Sequence, residues 1–412
     1  MDRRLLQLAA PLAVGALLLS ACGGSKTPAP STSSSSSAAA GGPTYTIAYQ
    51  GPLSGGDAQL GLNMKYAVQL AINQANAGTT FGTLPFTLKF TSEDDQGSPT
   101  QAPSAVQKIL QDSSVIAVVG PAFSGATRAS EPLYSQVGMA TVSPSATAPD
   151  LATHGWKNFF RVVADDNSQG PADATYIGKT LKLSTVYSVD DGSAYASGLI
   201  KAFDGAASAN GISIVSHETD LGTTQCQEGT GNVQQYGATA TKVKSLNPKA
   251  VFYAGYYCGF ALLTRALRTA GYTGQLVSDD GSNDPKYVSE ATPADANGTY
   301  ISCACQESIT GSSFSAFSAA FKQLAGFVPG TYSAESYDAT NAIIAVLKGA
   351  AAALGSTRIT RSDLVAGLHN SAFQWQGVSK LVKFQGDGNF AGSAVYMYKV
   401  TNGTIVEVGL IS

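Results

Sequence analysis

The chain has few of the residues on which metal enzymes and acid–base catalysts depend. It contains three histidines and five cysteines in 412 residues, and only 13% of its residues are charged. Lys and Arg total 25 against 28 Asp and Glu, a net charge of −3. This balance is not the basic signature of a nucleic-acid-binding protein. We therefore expect no cofactor and no nucleic-acid partner.

Motifs of common catalytic sites are also missing. The sequence has no H-E-x-x-H, no G-x-S-x-G, no G-x-x-x-x-G-K-[ST], and no G-x-G-x-x-G that opens a helix after a strand. His154, His217 and His369 occur in unrelated contexts and are predicted to lie at the surface or to cap helices. Since a secreted hydrolase needs a nucleophile with a base beside it, we predict that the chain is not an enzyme.

Three acidic pairs, at 94–95, 165–166 and 190–191, follow predicted strands. Paired carboxylates could hold a metal ion, but acidic residues also cap the first turn of helices. We favour the capping interpretation and predict no metal site. Asp387-Gly388-Asn389 is predicted to be a turn rather than a calcium loop.

The first residues are typical of an export signal. A short charged start precedes an apolar run from Leu5 to Leu19, which is shorter than the ~20 residues of a membrane span. The run ends in Leu19-Ser20-Ala21-Cys22, which resembles the lipobox of bacterial lipoproteins. This predicts a signal peptide at 1–21, an acylated Cys22, and a flexible tether rich in Ser, Ala and Pro at 22–43.

From Tyr45 onward, strand-like and helix-like segments alternate. Two consecutive series of this kind predict an α/β fold with two doubly wound parallel sheets. Later helices, followed by a hairpin signal at Asn402-Gly403, fit two lobes that exchange segments. We predict lobe 1 at 44–165 plus 302–376 and lobe 2 at 166–301 plus 377–412. The hinge strands would cross near Asp165, Ile301 and Gln376.

Four cysteines remain after Cys22, namely Cys226, Cys258, Cys303 and Cys305. An even number in an exported chain favours disulfides over zinc or reactive thiols. A Cys303–Cys305 bridge would span about 6.6 Å on an extended strand, at the edge of the allowed geometry. Three connectivities are open, and we favour bridges that link Cys226 and Cys258 to the other two.

Two segments rich in glycine and hydroxyl groups, 119–127 and 142–149, follow predicted buried strands. Backbone N–H groups and hydroxyls at helix starts can bind a carboxylate or a phosphate. The alternative interpretation of the same residues is plain N-capping.

These segments and others resemble the type I periplasmic binding proteins of the leucine/isoleucine/valine-binding family, the receptors of branched-chain amino acid ABC transporters. The resemblance covers residues 44–412 and implies two lobes joined by a multi-strand hinge, the Venus-flytrap arrangement. Its motifs, in chain order, are G-P-L-S-G with A-Q-L-G, V-V-G-P-A-F-S-G-A-T, S-P-S-A-T-A-P-D-L, F-R-V-V with D-N-S-Q-G, V-F-Y-A-G-Y and S-D-D-G.

The resemblance also implies a ligand site. The carboxylate of an amino acid would meet the first lobe at Ser124, Ser145 and Thr147. Its ammonium would meet Asp280 and the carbonyl of Ser145.

Aromatic contacts would come from Tyr195 and Tyr256. The alternative role for these two tyrosines is packing within the lobes, and the alternative role for Asp280 is that of an acidic turn residue. Leu60 stands where many relatives have an aromatic residue, and Asp280 is one methylene shorter than Glu. Both departures concern the identity of the ligand's side chain.

The implied function is that of a substrate-binding receptor. It would capture an amino acid, branched-chain or similar, and deliver it to an ABC transporter permease, as a monomer held by its lipid anchor on the extracytoplasmic face of the cell membrane. An amide, urea or an aromatic acid is the alternative ligand, and a signalling protein is the alternative partner.

We predict that Cys22→Ala leaves the protein unprocessed or shed from the membrane, because the acylated residue would be missing. Mass spectrometry of the native protein should show an acylated N-terminus at Cys22. A free, unacylated terminus at another residue would show that there is no lipid anchor.

Overall fold

The fold begins just after the predicted tether. The computed structural model describes residues 42–220, 236–307, 311–355 and 358–412. The predicted signal peptide, Cys22, nearly all of the tether and Cys226 lie outside these residues. In the described part of the chain, no helix is both long enough and apolar enough to cross a membrane.

The first lobe is built on a parallel sheet with the strand order β2-β1-β3-β4-β5. Its strands are β1 (Thr44–Gly51), β2 (Thr87–Asp94), β3 (Val115–Val119), β4 (Ala140–Ser143) and β5 (Phe159–Arg161). Helices α1 (Ala58–Asn76), α2 (Ala102–Gln111) and α3 (Ser124–Gln136) alternate with the first four strands. Every residue of β3 is buried, because this short apolar strand is covered on both faces.

The chain returns to the first lobe after it has built most of the second. The returning elements are α10 (Ser312–Ala325), α11 (Ser333–Leu354), α12 (Arg361–Leu368), β11 (Trp375–Gln376) and β12 (Leu381–Val382). Helix α11 packs along α1 and also touches β3 and β4. Residues on most of its faces are buried, as expected for a helix enclosed in a lobe.

The second lobe is built on a sheet with the order β14-β13-β10-β9-β8-β6-β7. The strands β6 (Thr185–Asp190), β7 (Ser213–Thr219), β8 (Ala250–Ala254), β9 (Gln275–Ser278) and β10 (Tyr300–Cys303) are parallel. In the closing hairpin, β13 (Tyr396–Thr401) runs antiparallel to β10, and β14 (Thr404–Leu410) runs antiparallel to β13. The helices are α4 (Asp166–Thr175), α5 (Ala194–Ala207), α6 (Gly237–Leu246), α7 (Tyr257–Thr269), α8 (Pro285–Ala291) and α9 (Pro293–Ala296).

The predicted α/β fold with two largely parallel sheets is confirmed, whereas the predicted lobe bounds stay a prediction. The chain leaves the first sheet after β5, at 162–165, and leaves the second sheet after Cys303. It enters the second sheet again at β13.

The chain crosses between the lobes a third time after Gln376, and the contacts of the segment that follows indicate where. The backbone N–H of Val378 donates to Asp338 Oδ1 of α11 at 2.7 Å. Further on, the ring of Phe384 lies 5.0 Å from that of Phe160 in the first sheet. The N–H of Arg161 in the first sheet also donates to the carbonyl of Gly388. These contacts favour a lobe 1 that extends to about residue 388, with the crossing before β13.

The start of α1 is fixed by a close backbone approach. Gly61 is buried against the loop that follows β1, and an added Cβ would lie 1.5 Å from the carbonyl oxygen of Pro52. Only a residue without a side chain lets the helix approach this loop so closely.

We predict that Gly61→Ala destabilises the protein by about 2 kcal/mol or more, because the loop or the helix must shift. The matched control is Gly349→Ala, in α11, where an added Cβ would meet nothing within 4 Å. Since alanine is the better helix former, this variant should gain about 0.5–1 kcal/mol. Chemical unfolding followed by circular dichroism measures both, and equal effects would contradict the packing argument.

Candidate functional site

A small cavity lies between the two lobes, at the carboxyl ends of their strands, where α/β sheets bind ligands. Its free volume is about 10 Å³, room for roughly one water molecule, so the two walls would have to separate to admit a ligand. The residues around it come from both lobes and are Leu60, Ala122, Phe123, Ser124, Ser145, Tyr195, Tyr256, Asp280, Gly281 and Tyr332. None of these lining residues is basic.

The first-lobe wall is formed by the loops that follow β3 and β4. Ser124 is the first residue of α3, so the unpaired N–H groups of the first helical turn lie at this wall. The Ser124 Oγ accepts a hydrogen bond from the backbone N–H of Ala148 at 3.2 Å. The Ser145 hydroxyl donates to the carbonyl of Ala122 at 2.7 Å. The two loops are thus tied together, and the positive end of the α3 dipole lies at the cavity.

The second-lobe wall carries a buried carboxyl group, that of Asp280. The Tyr195 hydroxyl donates to its Oδ1 at 2.7 Å, and the Tyr332 hydroxyl donates to its Oδ2 at 2.7 Å. Burial raises the pKa of Asp280, while the two tyrosine hydrogen bonds act to lower it. The carboxylate form is therefore stabilised by neutral donors rather than by a paired cation.

Further acids surround Asp280. Asp166, Asp173 and Asp279 are fully buried, and burial raises the pKa of each well above its ordinary value. The negative charge of Asp280 raises these pKa values further. Burial thus favours the neutral form of these acids, and a positive charge brought into the cavity would favour their ionised form.

Arg161 is buried near the cavity, but its guanidinium bonds to groups outside it. The Arg161 guanidinium donates to the carbonyls of Ala146 and Ala148 at 3.2 and 2.9 Å and to Asn389 Oδ1 at 2.7 Å. It also lies 3.4 Å from the carboxylate of Asp165. Arg161 thus holds the loop after β4 and does not line the cavity.

The structure brings five of the six predicted ligand residues to this cavity: Ser124, Ser145, Tyr195, Tyr256 and Asp280. Thr147 is buried behind the wall, and its carbonyl accepts from the Asp166 N–H at 3.1 Å. Their contact with a ligand stays a prediction.

Two aromatic residues at the cavity were not predicted, Phe123 and Tyr332. Phe123 directly precedes Ser124 in a motif already singled out, so its position in the sequence was a usable signal. Tyr332 lies 52 residues from Asp280 in the sequence, and no local pattern pointed to it.

The lobes also touch each other beside the cavity. Phe123 stacks on Tyr256 with ring centres 4.2 Å apart. Asp57, just before α1, accepts from the backbone N–H of Cys258 in α7 at 3.5 Å. These contacts join the first lobe to the amino-terminal end of a second-lobe helix.

The favoured disulfide pairing is wrong. Cys303 and Cys305 are bonded to each other, with their Cα atoms 4.9 Å apart. The expected 6.6 Å assumed an extended strand, but β10 ends at Cys303 and the chain turns there. Cys258 is also disulfide-bonded, and Cys226 lies outside the described residues.

The three histidines lie away from the cavity. His154 is 3.2 Å from Asp150, and His369 Nε2 is 2.7 Å from the carbonyl oxygen of Lys157. His217 lies between the carboxylates of Asp190 and Asp204, at 2.8 and 3.0 Å. Within the described ranges, no group of three or more His, Cys, Asp or Glu side chains is arranged to hold a metal ion.

Two α/β lobes that close on a small polar cavity define a class, the two-lobed solute-binding receptors. Comparison with known families identifies the chain further: it belongs to the periplasmic binding protein family, whose model matches residues 44–404. This is a family of receptors and not of enzymes.

Two relatives in the family share about a third of their residues with this chain over the matched part. The chain is 31% identical to Leu/Ile/Val-binding protein homolog 3 of Brucella melitensis biotype 1 over 242 residues, which cover 59% of this chain and 62% of that protein. It is 31% identical to Leu/Ile/Val-binding protein BraC3 of Rhizobium johnstonii, over 62% of this chain and 66% of the relative. The chain thus matches slightly less than two thirds of the length of these relatives.

Among solved structures, the branched-chain amino acid transporter substrate-binding protein LivJ of Streptococcus pneumoniae, in complex with isoleucine, is similar with a TM-score of 0.77 and 26% identity. The match covers 89% of this chain and 99% of that chain. A solute-binding protein of an ABC transporter from R. palustris, in complex with benzoate, has a TM-score of 0.75 and 19% identity, over 90% of this chain and 96% of that one. The second likeness concerns the fold alone.

The acids at the lobe boundary make a pH dependence testable. Although Asp57 keeps some exposed surface, burial raises the pKa of its carboxyl to about 8, and Asp191, Glu290 and Asp284 of the second lobe add to this rise. The folded protein therefore binds a proton at Asp57 at pH values where the unfolded chain has lost it.

We predict that stability falls as the pH rises from about 4 to about 8. In Asp57→Asn the fall should be smaller by at least about 1 kcal/mol, roughly 1 °C or more in melting temperature. The control is Glu93→Gln, which removes a partly exposed carboxylate paired with Lys108 at 3.3 Å. Melting curves between pH 5 and 9 measure this, and parallel pH profiles for Asp57→Asn and the wild type would contradict it.

Proposed function

We propose that the protein is the substrate-binding receptor of an ABC importer, and that it captures a small amino acid between its lobes for delivery to the permease. The observation that carries this proposal is the opposite chemistry of the two cavity walls. One wall offers the start of α3 with Ser124 and Ser145, and the other offers the Asp280 carboxyl.

An amino acid zwitterion matches both walls. Its carboxylate would accept hydrogen bonds from the N–H groups at the start of α3 and from the Ser124 hydroxyl. Its ammonium would donate to Asp280, the centre of the buried acids. Charge-assisted hydrogen bonds of this kind contribute about 1.5–3 kcal/mol each, so a ligand with charges of both signs is favoured.

The remaining walls are apolar. Leu60, Ala122, Phe123 and Tyr256 line the cavity where the side chain of the ligand would lie. These side chains provide no charge, so an apolar side chain is favoured. The isoleucine complex named above supports the same class of ligand.

An amide, urea or aromatic acid is the alternative ligand class. The benzoate complex of the R. palustris protein is the observation in its favour. Against an aromatic acid stands the wall of this cavity, which carries Asp280 and no basic residue among those that line it. A ligand with only a negative charge would meet this carboxyl without compensation.

A thermal-shift screen against amino acids, amides, urea and aromatic acids tests the proposal. A ligand present at roughly 100 times its Kd adds about 2.7 kcal/mol to stability. We expect the largest shift from an amino acid. If only benzoate or urea raised the melting temperature, the alternative ligand class would be supported and the proposal of an amino acid ligand would be wrong.

The location and partner belong to the same proposal. The family match and the signal-like start of the chain support export, and Cys22 would hold the receptor at the extracytoplasmic face of the membrane through its acyl chains. It would act as a monomer that presents ligand to the permease, which needs no chemistry at the site. If the neighbouring genes encode a signalling protein and no permease, a sensory role replaces transport.

We predict that Asp280→Asn weakens binding of the best amino acid from the screen by ~2–4 kcal/mol, or roughly 30- to 1,000-fold in Kd. The variant keeps the shape of the side chain but leaves the ammonium without a negative partner in a closed cavity. Isothermal titration calorimetry measures the loss.

The control is Asp295→Asn, which makes the same change in charge on α9 of the second lobe at a position that does not line the cavity. It should keep wild-type affinity. A loss of tenfold or less in Asp280→Asn would mean that Asp280 is only a turn residue.

A further inference from the structure

The two tyrosines that hold Asp280 belong to different lobes. Tyr195 lies in α5 and Asp280 follows β9, so both are part of the second lobe. Tyr332 directly precedes α11, which packs on α1 in the first lobe. The bond from Tyr195 to Oδ1 is therefore internal to one lobe, whereas the bond from Tyr332 to Oδ2 crosses the cavity.

The backbone around Tyr332 holds it in an uncommon conformation. Its φ is +64°, in the left-handed region that residues with a side chain rarely adopt. Such a conformation is unfavourable and persists where the surroundings require it, often at ligand sites and switches. Tyr332 is also 3% exposed, so its hydroxyl must find a partner inside the protein.

A second contact from the same short segment crosses between the lobes. The hydroxyl of Thr331 donates to the carbonyl of Asn283, three residues after Asp280. Adjacent residues of the first lobe thus hold both ends of the 280–283 turn of the second lobe.

We propose that Tyr332 is a positioning residue that couples closure of the lobes to the charge of the site. Its hydroxyl forms a cross-lobe latch, the hydrogen bond to Asp280 Oδ2, which exists only when the lobes are closed. The latch stabilises the closed state of the unliganded protein by contacts of the protein alone.

The physical basis is the desolvation of Asp280. When the lobes close, this carboxylate loses water, and a fixed phenol donor on the opposite lobe replaces part of that hydration. A receptor in which more molecules are closed before binding loses less affinity to the closing step. Removing the hydroxyl should therefore open the unliganded protein and weaken binding of all ligands by a similar factor.

Tyr332→Phe tests the latch, because it keeps the ring and removes only the donor. Single-molecule energy transfer between dyes on the exposed Lys89 of the first lobe and Lys182 of the second lobe reports the separation of the lobes. Without ligand, the ratio of closed to open molecules should fall about ten- to a hundredfold in Tyr332→Phe. Calorimetry with the amino acids of the screen should show a rise in Kd by a similar factor for each of them.

The matched control is Tyr195→Phe, which removes a donor to the same carboxylate from within the same lobe. It should weaken ligand binding but leave the separation of the lobes without ligand unchanged. If Tyr332→Phe also leaves that separation unchanged, the latch is overturned, whatever happens to affinity. A loss of affinity that differs between ligands would equally overturn it, since the hydroxyl would then act as a direct ligand contact.

The affinity part of this inference rests on the proposed function, but the closure part does not. If none of the ligands in the screen binds, while Tyr332→Phe still opens the unliganded protein and Tyr195→Phe does not, the amino acid receptor is wrong and the latch stands.

Discussion

A carboxylate enclosed between two lobes must be stabilised by groups that reach it from both sides, and the closed form of this protein depends on how Asp280 is held. Burial works against its charge, and two phenol hydroxyls, at 2.7 Å each, work for it. Because Tyr195 and Tyr332 are neutral, they stabilise the carboxylate without cancelling it. Burial still holds the pKa of Asp280 above its ordinary value, so its charge depends on these two donors.

The rest of the architecture follows from that requirement. Parallel strands bring the loops with Ser124 and Asp280 to facing edges of two separate sheets. A single sheet would place these loops side by side, whereas two hinged lobes let them meet across a cavity and separate again. The helix start at Ser124 then supplies hydrogen-bond donors at one wall, and Asp280 places a carboxyl group at the other.

Much of the fold could be predicted from local patterns. The apolar run of β3 and the helical spacing in α1 depend on neighbours within a few residues, so periodicity identifies them. The pairing of Cys303 with Cys305 could not be predicted this way, because the end of β10 brings their Cα atoms to 4.9 Å. The contacts of residues after Gln376 with the first lobe likewise depend on packing that has no local signature.

The sequence by itself determined the class of the protein: alternating elements for two α/β lobes, ordered motifs for the family, and five of the residues that line the cavity. Only the tertiary structure decided which groups meet across it. Tyr332 and Asp280 are 52 residues apart, and the stacking of Phe123 on Tyr256 joins two lobes. Such contacts arise from the closure of one lobe on the other, which periodicity and composition do not encode, because both report only on neighbours along the chain.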